Sequence, residues 1–412
     1  MAGPLTDLTV VELTSEAGAW AGKLLADLGA DVIVVEPPGG SVQRRYGPWL
    51  DDQPGPERSL WWWHYNTNKR SVVLDLDDGR DRDRFAALVR TADVLLEAEA
   101  PGRLAALGVD HAQLSVDQPH LVHASITPYG RSGPSRDLPA TDLTVLAGGP
   151  VWSCGYDDHS LPPVRGGGNQ GYHIASHWAV QAILVALLAR DVTGEGQFLD
   201  VSMHAAASVT TELGSFGYLS GGVEVQRQTG RHAWWSATVA TQMRCADGRY
   251  LNSGTLPRTP KEFSQMLQWL DELGLRDEFP LSALLEMGAE RDSLDMARME
   301  QDPLLGEILG SARELVAFLC DRLGAYEVFQ GWQTRGMAAG IIYAPDEALA
   351  DPHVQARGFP TQVEHPELER SFTYPGAPYR FTGTPWEIRR RAPLLGEDQA
   401  LLDRLAADPD TA

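Results

Sequence analysis

Residues 163–180 read PVRGGGNQGYHIASHWAV, and two histidines in it, His173 and His177, stand four apart. Residues at i and i+4 share one helix face, so the pair has the spacing of a metal-binding helix. The zinc-protease pattern also needs a glutamate after the first histidine. Ile174 takes that place. No metal is therefore expected, and two packing histidines are the plainer reading. The glycine run at 166–168 lacks the Lys-Ser/Thr that completes a phosphate loop. Just upstream, Asp157, Asp158 and His159 follow one another. A carboxylate beside an imidazole can do acid–base work, and a solvated loop accounts for the three equally well. Asp142 opens the apolar segment DLTV and has the residue type of a helix cap. In HYNTNKRS at 64–71 the asparagines suit a tight turn, and Lys69 and Arg70 could attract an anion or simply face water.

These residues need elements to hold them. LTVVELT at 8–14 reads as a buried strand, AGAWAGKLLADLGA at 17–30 as a helix, and DVIVVE at 31–36 as a second apolar strand. A strand–helix–strand start of this kind predicts a parallel sheet with helices on its faces. SVVLDL at 71–76, DVLLEA at 93–98 and HLVHASITPYG at 120–130 continue the strands, with helical DRDRFAALVRTA between the first two. A long apolar helix is expected over 173–190. The α/β pattern changes near residue 225 into short strands and acidic helices, and resumes after 330. The expectation is a Rossmann-like parallel-sheet large domain formed by 1–224 and 331–412, with a smaller α+β domain, 225–330, inserted.

A dinucleotide enzyme would carry G-x-G-x-x-G after the first strand, where backbone must approach a pyrophosphate. Gly18 and Gly22 are present there, but the pattern is not. Glu36 ends the second strand, where a ribose-binding acid would sit. The net charge of −22 argues against general nucleic-acid binding, while leaving room for a local basic pocket. Three widely spaced cysteines without a CxxC pair point to a reducing, cytoplasmic setting. The first residues lack a signal-peptide pattern, and no uninterrupted apolar run is long enough for a membrane span. Neither nucleic acid nor membrane is expected as a partner.

Taken in order, the segments LTVVELTSEAGAWAGKLLADLGADVIVVEPPGG, NTNKRSVVLDL, ADVLLEAEAPGRLAALGV, LVHASITPYGRSGP, ALLARDVTGEGQFLDVSM, ADPHVQARGF and RRRAPLLGED resemble the family III CoA-transferases of the CaiB/BaiF type. That family includes formyl-CoA transferase, carnitine CoA-transferase and α-methylacyl-CoA racemase. The resemblance spans almost the whole chain, and SLWWWHYNTNKRS and SITPYGRSGP are similar to the benzylsuccinate CoA-transferase branch. It implies an interlocked dimer, with acyl-CoA and a carboxylic acid as substrates. It also implies a thioester near the start of the 173–190 helix, where the transferases place an aspartate that attacks it. In this chain that position falls on Tyr172, or on Gly171 or Gln170 with one gap, and no Asp or Glu lies between Asp158 and Asp191. The racemase histidine falls near Thr141. Other usual CoA contacts differ as well, leaving Ala98, Ala106 and Pro37 at their positions. Tyr172, His173 and Asp158 are then the candidates for replacement chemistry. Glu36, Arg44, Arg45, Lys69, Arg70, Leu74, Arg103 and Met203 form the candidate coenzyme A contacts. Three readings follow: CoA transfer by this chain, a non-catalytic subunit paired in a heterodimer with an aspartate-bearing paralogue rather than a homodimer, and a racemase-like enzyme using His173 or His159 as base.

Overall fold

The computed structural model describes residues 2–13, 15–148, 166–210, 212–225, 228, 230–231, 234, 238–253, 257–295 and 302–407. Contacts divide the chain into two compact units, one holding the two ends of the chain and the other Val223–Asp351.

The first unit is built on a six-stranded parallel sheet, β1 (Thr9–Leu13), β2 (Asp31–Glu36), β3 (Arg70–Val73), β4 (Val94–Glu97), β5 (Val122–Thr127) and β6 (Phe198–Ser202). The strand order is β3-β2-β1-β4-β5-β6. Every pair in it is parallel. The order reverses between β1 and β4, and in open parallel sheets ligands bind outside the carboxyl ends of the strands at such a reversal. Strands β1, β2, β4 and β5 form where the sequence predicts them because each is a short run buried on both faces. Val10, Val32, Val94 and Val122 are fully enclosed on one side, and Val11, Val72 and Leu95 on the other.

Helices α1 (Ala19–Asp27), α2 (Leu60–Tyr65), α3 (Gly79–Arg90), α4 (Arg103–Leu107), α5 (His111–Asp117), α6 (Asp142–Gly148), α7 (Gln170–Thr193), α8 (Met203–Val209) and α9 (Glu212–Gly221) connect or flank these strands. The helix α7 is long and apolar enough to cross a membrane by composition alone. One face of it, with Ala175, Ala179, Ile183 and Ala186, is part of the core over the sheet. Its other face is apolar and open: Val185, Leu188 and Val192 are 65%, 68% and 87% exposed.

The second unit contains β7 (Gln242–Arg244), β8 (Tyr250–Asn252) and β9 (Gly340–Ile342), paired antiparallel in that order, and helices α10 (Pro260–Leu273), α11 (Ser282–Ala289), α12 (Pro303–Cys320), α13 (Ala325–Thr334) and α14 (Pro345–Ala350). Its core gathers Phe263, Trp269, Leu309, Leu315 and Trp332. The unit runs on to Asp351, past the boundary at 330 expected from composition, because β9 pairs with β8 and Trp332 and Met337 enter the same core. The chain then returns to the first unit as α15 (Pro352–Ala356), the hairpin β10 (Pro360–His365) and β11 (Arg370–Pro375), and the terminal helix α16 (Ala400–Ala407). Leu402 of α16 packs into the β1–β4 side of the sheet, and Val363, Tyr374 and Trp386 pack on Trp62 and Trp63.

Candidate active site

The carboxyl end of β1 leads into α1, and beside it stands the first turn of α7. Four backbone N–H groups at a helix start have no partner within the helix. Here Asp142 supplies one: its Oδ1 accepts from the N–H of Gly171 at 2.8 Å and of Tyr172 at 3.2 Å. Asp142 is the first residue of α6, so the cap expected of it is made across space to a helix that begins 28 residues later. The exchange is mutual, because the backbone N–H of Asp142 donates to the Tyr172 hydroxyl at 2.9 Å. Gly171 leaves room for this. A Cβ at that position would stand 3.1 Å from Asp142 Oδ1.

The place where the sequence resemblance puts a nucleophilic aspartate is therefore filled otherwise. Tyr172 is buried in the core, with its hydroxyl committed to Asp142. Among the described residues, a carboxylate does stand at the helix start: Asp142, buried to 5% exposure and used as a cap. Charge-assisted bonds to two buried N–H groups contribute about 2–3 kcal/mol. The substitution Asp142→Ala is expected to lower the unfolding free energy by about that amount, and Asp142→Asn, which keeps an acceptor, by roughly half as much. Urea denaturation of the two variants checks this. An unchanged midpoint in Asp142→Ala would show that the cap carries no stability.

His173 lies one residue further along, half-buried, with its Nε2 2.7 Å from the Tyr65 hydroxyl. Burial depresses its basicity, with His177 adding to the effect and Asp142 opposing it. Burial likewise raises the Tyr65 phenol above its ordinary value, against a hydrogen bond with Asn169. His64 is pushed down to about 4, mainly by burial and further by Lys23 and His173. Both His64 and His173 are thus neutral near pH 7. Trp20 of α1 lies over this group: its ring is stacked on His64 at 5.8 Å and tilted to His173 at 5.0 Å.

Asp158, with Asp157 and His159, falls outside the described residues. The other expected contacts separate into interior and surface groups. Glu36 is fully buried and bonded by Arg44 through Nε at 2.7 Å and Nη2 at 2.8 Å, by Ser71 Oγ at 2.5 Å, and by the Ser41 N–H at 2.9 Å. Arg44 is itself 1% exposed and also bonds Glu57 and the Pro393 carbonyl. Lys69, completely enclosed, bonds Glu12, the Ala19 carbonyl and Asn66. Glu36, Arg44 and Lys69 are thus committed inside the fold, where a charge must be paired. Leu74 and Met203 are core side chains. Arg45 is exposed, Arg70 pairs with Asp31 at 3.1 Å, and Arg103 pairs with Asp77 at 2.7 Å. Of the expected site residues that are described, Tyr172 and His173 are at the helix start, together with Asp142, Tyr65 and Trp20. A sequence signal for Tyr65 existed in HYNTNKRS, but it pointed to the charged pair that follows. Among the described residues no group of three or more His, Cys, Asp and Glu side chains is arranged to hold a metal ion.

The model of CoA-transferase family III matches residues 5–399. The chain is 33% identical over 397 residues to the succinyl-CoA:(R)-benzylsuccinate CoA-transferase subunit BbsE of Thauera aromatica, covering 94% of this chain and 90% of the relative. It is 30% identical over 408 residues to the succinate–glutarate CoA-transferase of Agrobacterium fabrum, covering 96% and 94%. A crystal structure of a CaiB/BaiF family protein from Brucella suis superposes with a TM-score of 0.77 at 25% identity, covering 98% of this chain and 99% of that one.

Proposed function

Because the chain belongs to the family III CoA-transferases, we propose that it serves CoA transfer between an acyl-CoA and a carboxylic acid as a subunit that takes its nucleophilic carboxylate from an aspartate-bearing paralogue. One observation carries this reading. At the start of α7 the expected carboxylate is replaced by Gln170, Gly171 and Tyr172, and Asp142 nearby is spent on the helix cap. A phenol cannot form an anhydride from a thioester, because attack by its oxygen would give an aryl ester instead. In the partner, a carboxylate oxygen would attack the thioester carbonyl and release CoA as the thiolate. The thiolate would then attack the aspartyl carbonyl of the anhydride, releasing the first acid and leaving an aspartyl-CoA thioester. The second acid's carboxylate would displace the thiolate to form a new mixed anhydride, and the thiolate would attack its acyl carbonyl, giving the new acyl-CoA and free aspartate. The name of the Thauera relative calls it a subunit, which agrees with this division of labour. The exposed apolar face of α7 gives such a partner a surface to cover. An interlocked dimer of Rossmann-like large domains, working in the cytoplasm on coenzyme A thioesters, is the assembly this reading implies.

The test is to assay the purified chain with succinyl-CoA and a panel of carboxylic acids, alone and after co-expression with an aspartate-bearing paralogue. Turnover and a hydroxylamine-sensitive enzyme adduct are expected only for the pair, with the adduct on the partner. Turnover by the single chain would overturn the subunit reading. The bonded Tyr65–His173 pair favours a second reading, proton exchange at the α-carbon of an acyl-CoA. Deuterium wash-in without acyl transfer, abolished by His173→Ala, would select it instead.

A further inference from the structure

Two arginines are held near the amino ends of β2 and β3 by a single asparagine. Asn68 is buried, with a φ of 65° that its short polar side chain tolerates. Its Oδ1 accepts the backbone N–H groups of Arg389 at 2.7 Å and Arg390 at 3.0 Å, and its own N–H donates to the Arg390 carbonyl at 3.1 Å. Its Nδ2 is anchored on Asp27 at 2.7 Å. Arg70, the first residue of β3, lines the same cavity of about 340 Å³ as Arg389 and Arg390. Gly3, Thr6 and Gly29 line it too, and that wall is close-packed: a Cβ on Gly29 would stand 3.0 Å from Gly3 Cα.

The guanidinium groups have donors left. Arg389 is exposed, places Nη2 on the Ala26 carbonyl at 2.8 Å, and meets no carboxylate among the described residues. Arg70 uses Nε on Asp31 at 3.1 Å. Arg390 uses Nη2 on the Lys69 carbonyl and on Asp398 at 3.3 Å, while its Nε is buried with no hydrogen-bond partner. Buried donors are normally satisfied, by protein, water or an ion. Among the described residues, Asp31 is the one acidic side chain lining the cavity. The three arginines therefore leave an excess of positive charge even with Asp398 counted, in a chain whose net charge is −22. A neighbouring cavity of about 410 Å³ shares Arg389 and Arg390, but Glu364 and Glu397 line it, and its Arg391 is paired with Glu367 and Glu397. The first cavity is thus the one that favours an anion. Arginine forks suit the geometry of an oxyanion, and a phosphate dianion complements the excess charge better than a single carboxylate. Because Asn68 fixes the arginine backbones beforehand, little ordering is left to oppose binding.

We infer that this cavity is an anion site, separate from the carboxyl-end cleft of the sheet, which takes a phosphate group, free or as the monoester of a larger molecule.

The full-length chain is titrated calorimetrically with inorganic phosphate, ribose 5-phosphate and acetate at constant ionic strength, so that screening is equal throughout. Saturable phosphate binding is expected with a Kd of about 1 mM or tighter, and none for acetate in that range. Arg389→Gln is expected to weaken phosphate binding about tenfold, and Arg389→Lys, which keeps the charge but not the fork, by less. Arg80→Gln, an exposed arginine on α3, is expected to leave it unchanged. Melting curves in phosphate-free buffer establish that the variants fold. Tighter binding of ribose 5-phosphate than of phosphate assigns the site to a phosphate ester, and equal or weaker binding assigns it to the free anion. No saturation by about 10 mM phosphate, equal binding of acetate, an affinity unchanged in Arg389→Gln, or an equal loss in Arg80→Gln would each overturn the site.

Discussion

Replacing Lys69 with alanine is expected to cost about 3–5 kcal/mol of folding stability, the usual consequence of stranding a buried ion without its partner. The side chain is fully enclosed, and its ammonium lies 2.9 Å from Glu12 and 3.0 Å from both the Ala19 carbonyl and Asn66 Oδ1. Burial lowers the basicity of Lys69, and the Glu12 charge works against that effect. Glu12 is near the carboxyl end of β1 and Lys69 immediately precedes β3, so the pair ties the central strand to the turn HYNTNKRS. The packing around it is close: a Cβ on Gly22 would come within 1.8 Å of Glu12 Oε2. The double variant Glu12→Leu with Lys69→Met removes both charges at similar volume. It is expected to recover part of the loss and to remain below the native protein by about 1–3 kcal/mol, because the Ala19 carbonyl and Asn66 lose their donor. Urea unfolding of the single and double variants measures the coupling. If Lys69→Ala unfolds at the native midpoint and loses affinity for CoA instead, Lys69 is a ligand contact rather than a structural ion.

The same pair shows where sequence reasoning reached and where it stopped. The strand DVIVVE is observed over the residues predicted, Asp31–Glu36, because an unbroken apolar run bounded by a glycine turn and by Pro37 has one way to be buried. The parallel sheet followed from the alternation of strand and helix, while its strand order is seen only in the structure. What the sequence could not reveal is which charged residues lie inside. Glu36 read as a ribose-binding acid and Arg44 and Lys69 as groups for an anionic ligand, since lone charges near strand ends usually face solvent. In the structure each finds a complementary partner: Glu36 with nearby Arg44 and with Ser71, Arg44 with the distant Pro393 carbonyl, Lys69 with Glu12. Asp142 is the instructive intermediate. Its residue type announces a cap, but the helix it caps is decided by tertiary contact. The absence of a carboxylate at Gln170–Tyr172 was legible, whereas the ring array around Trp20 and Tyr65 needed three helices to be brought together.

Acidification is expected to destabilise the protein between pH 6.5 and about 4, with His64 as a principal cause. Its ordinary value of 6.5 falls to about 4 in the folded state, through burial first and then through Lys23 and His173. Above pH 6.5 neither the folded nor the unfolded chain protonates this group, so its full contribution is present. As pH falls below 6.5 the unfolded chain takes up a proton that the folded chain refuses, and stability declines by about 1.4 kcal/mol per pH unit. The decline ends near the folded value, after a loss of about 3 kcal/mol. His173 and His365, also depressed by burial, act in the same direction. Asp27 acts in the opposite one, because burial raises its carboxyl and so favours folding at lower pH. The contribution of His64 is therefore read as a difference: unfolding free energies of the native chain and of His64→Gln, measured at pH 7, 5.5 and 4.5 under the linkage above. The variant is expected to show the shallower slope, and its disadvantage at pH 7 should shrink or vanish at pH 4.5. Parallel slopes would mean that His64 already exchanges protons freely in the folded protein. The rings around it would then leave its imidazole open to water rather than shielding it.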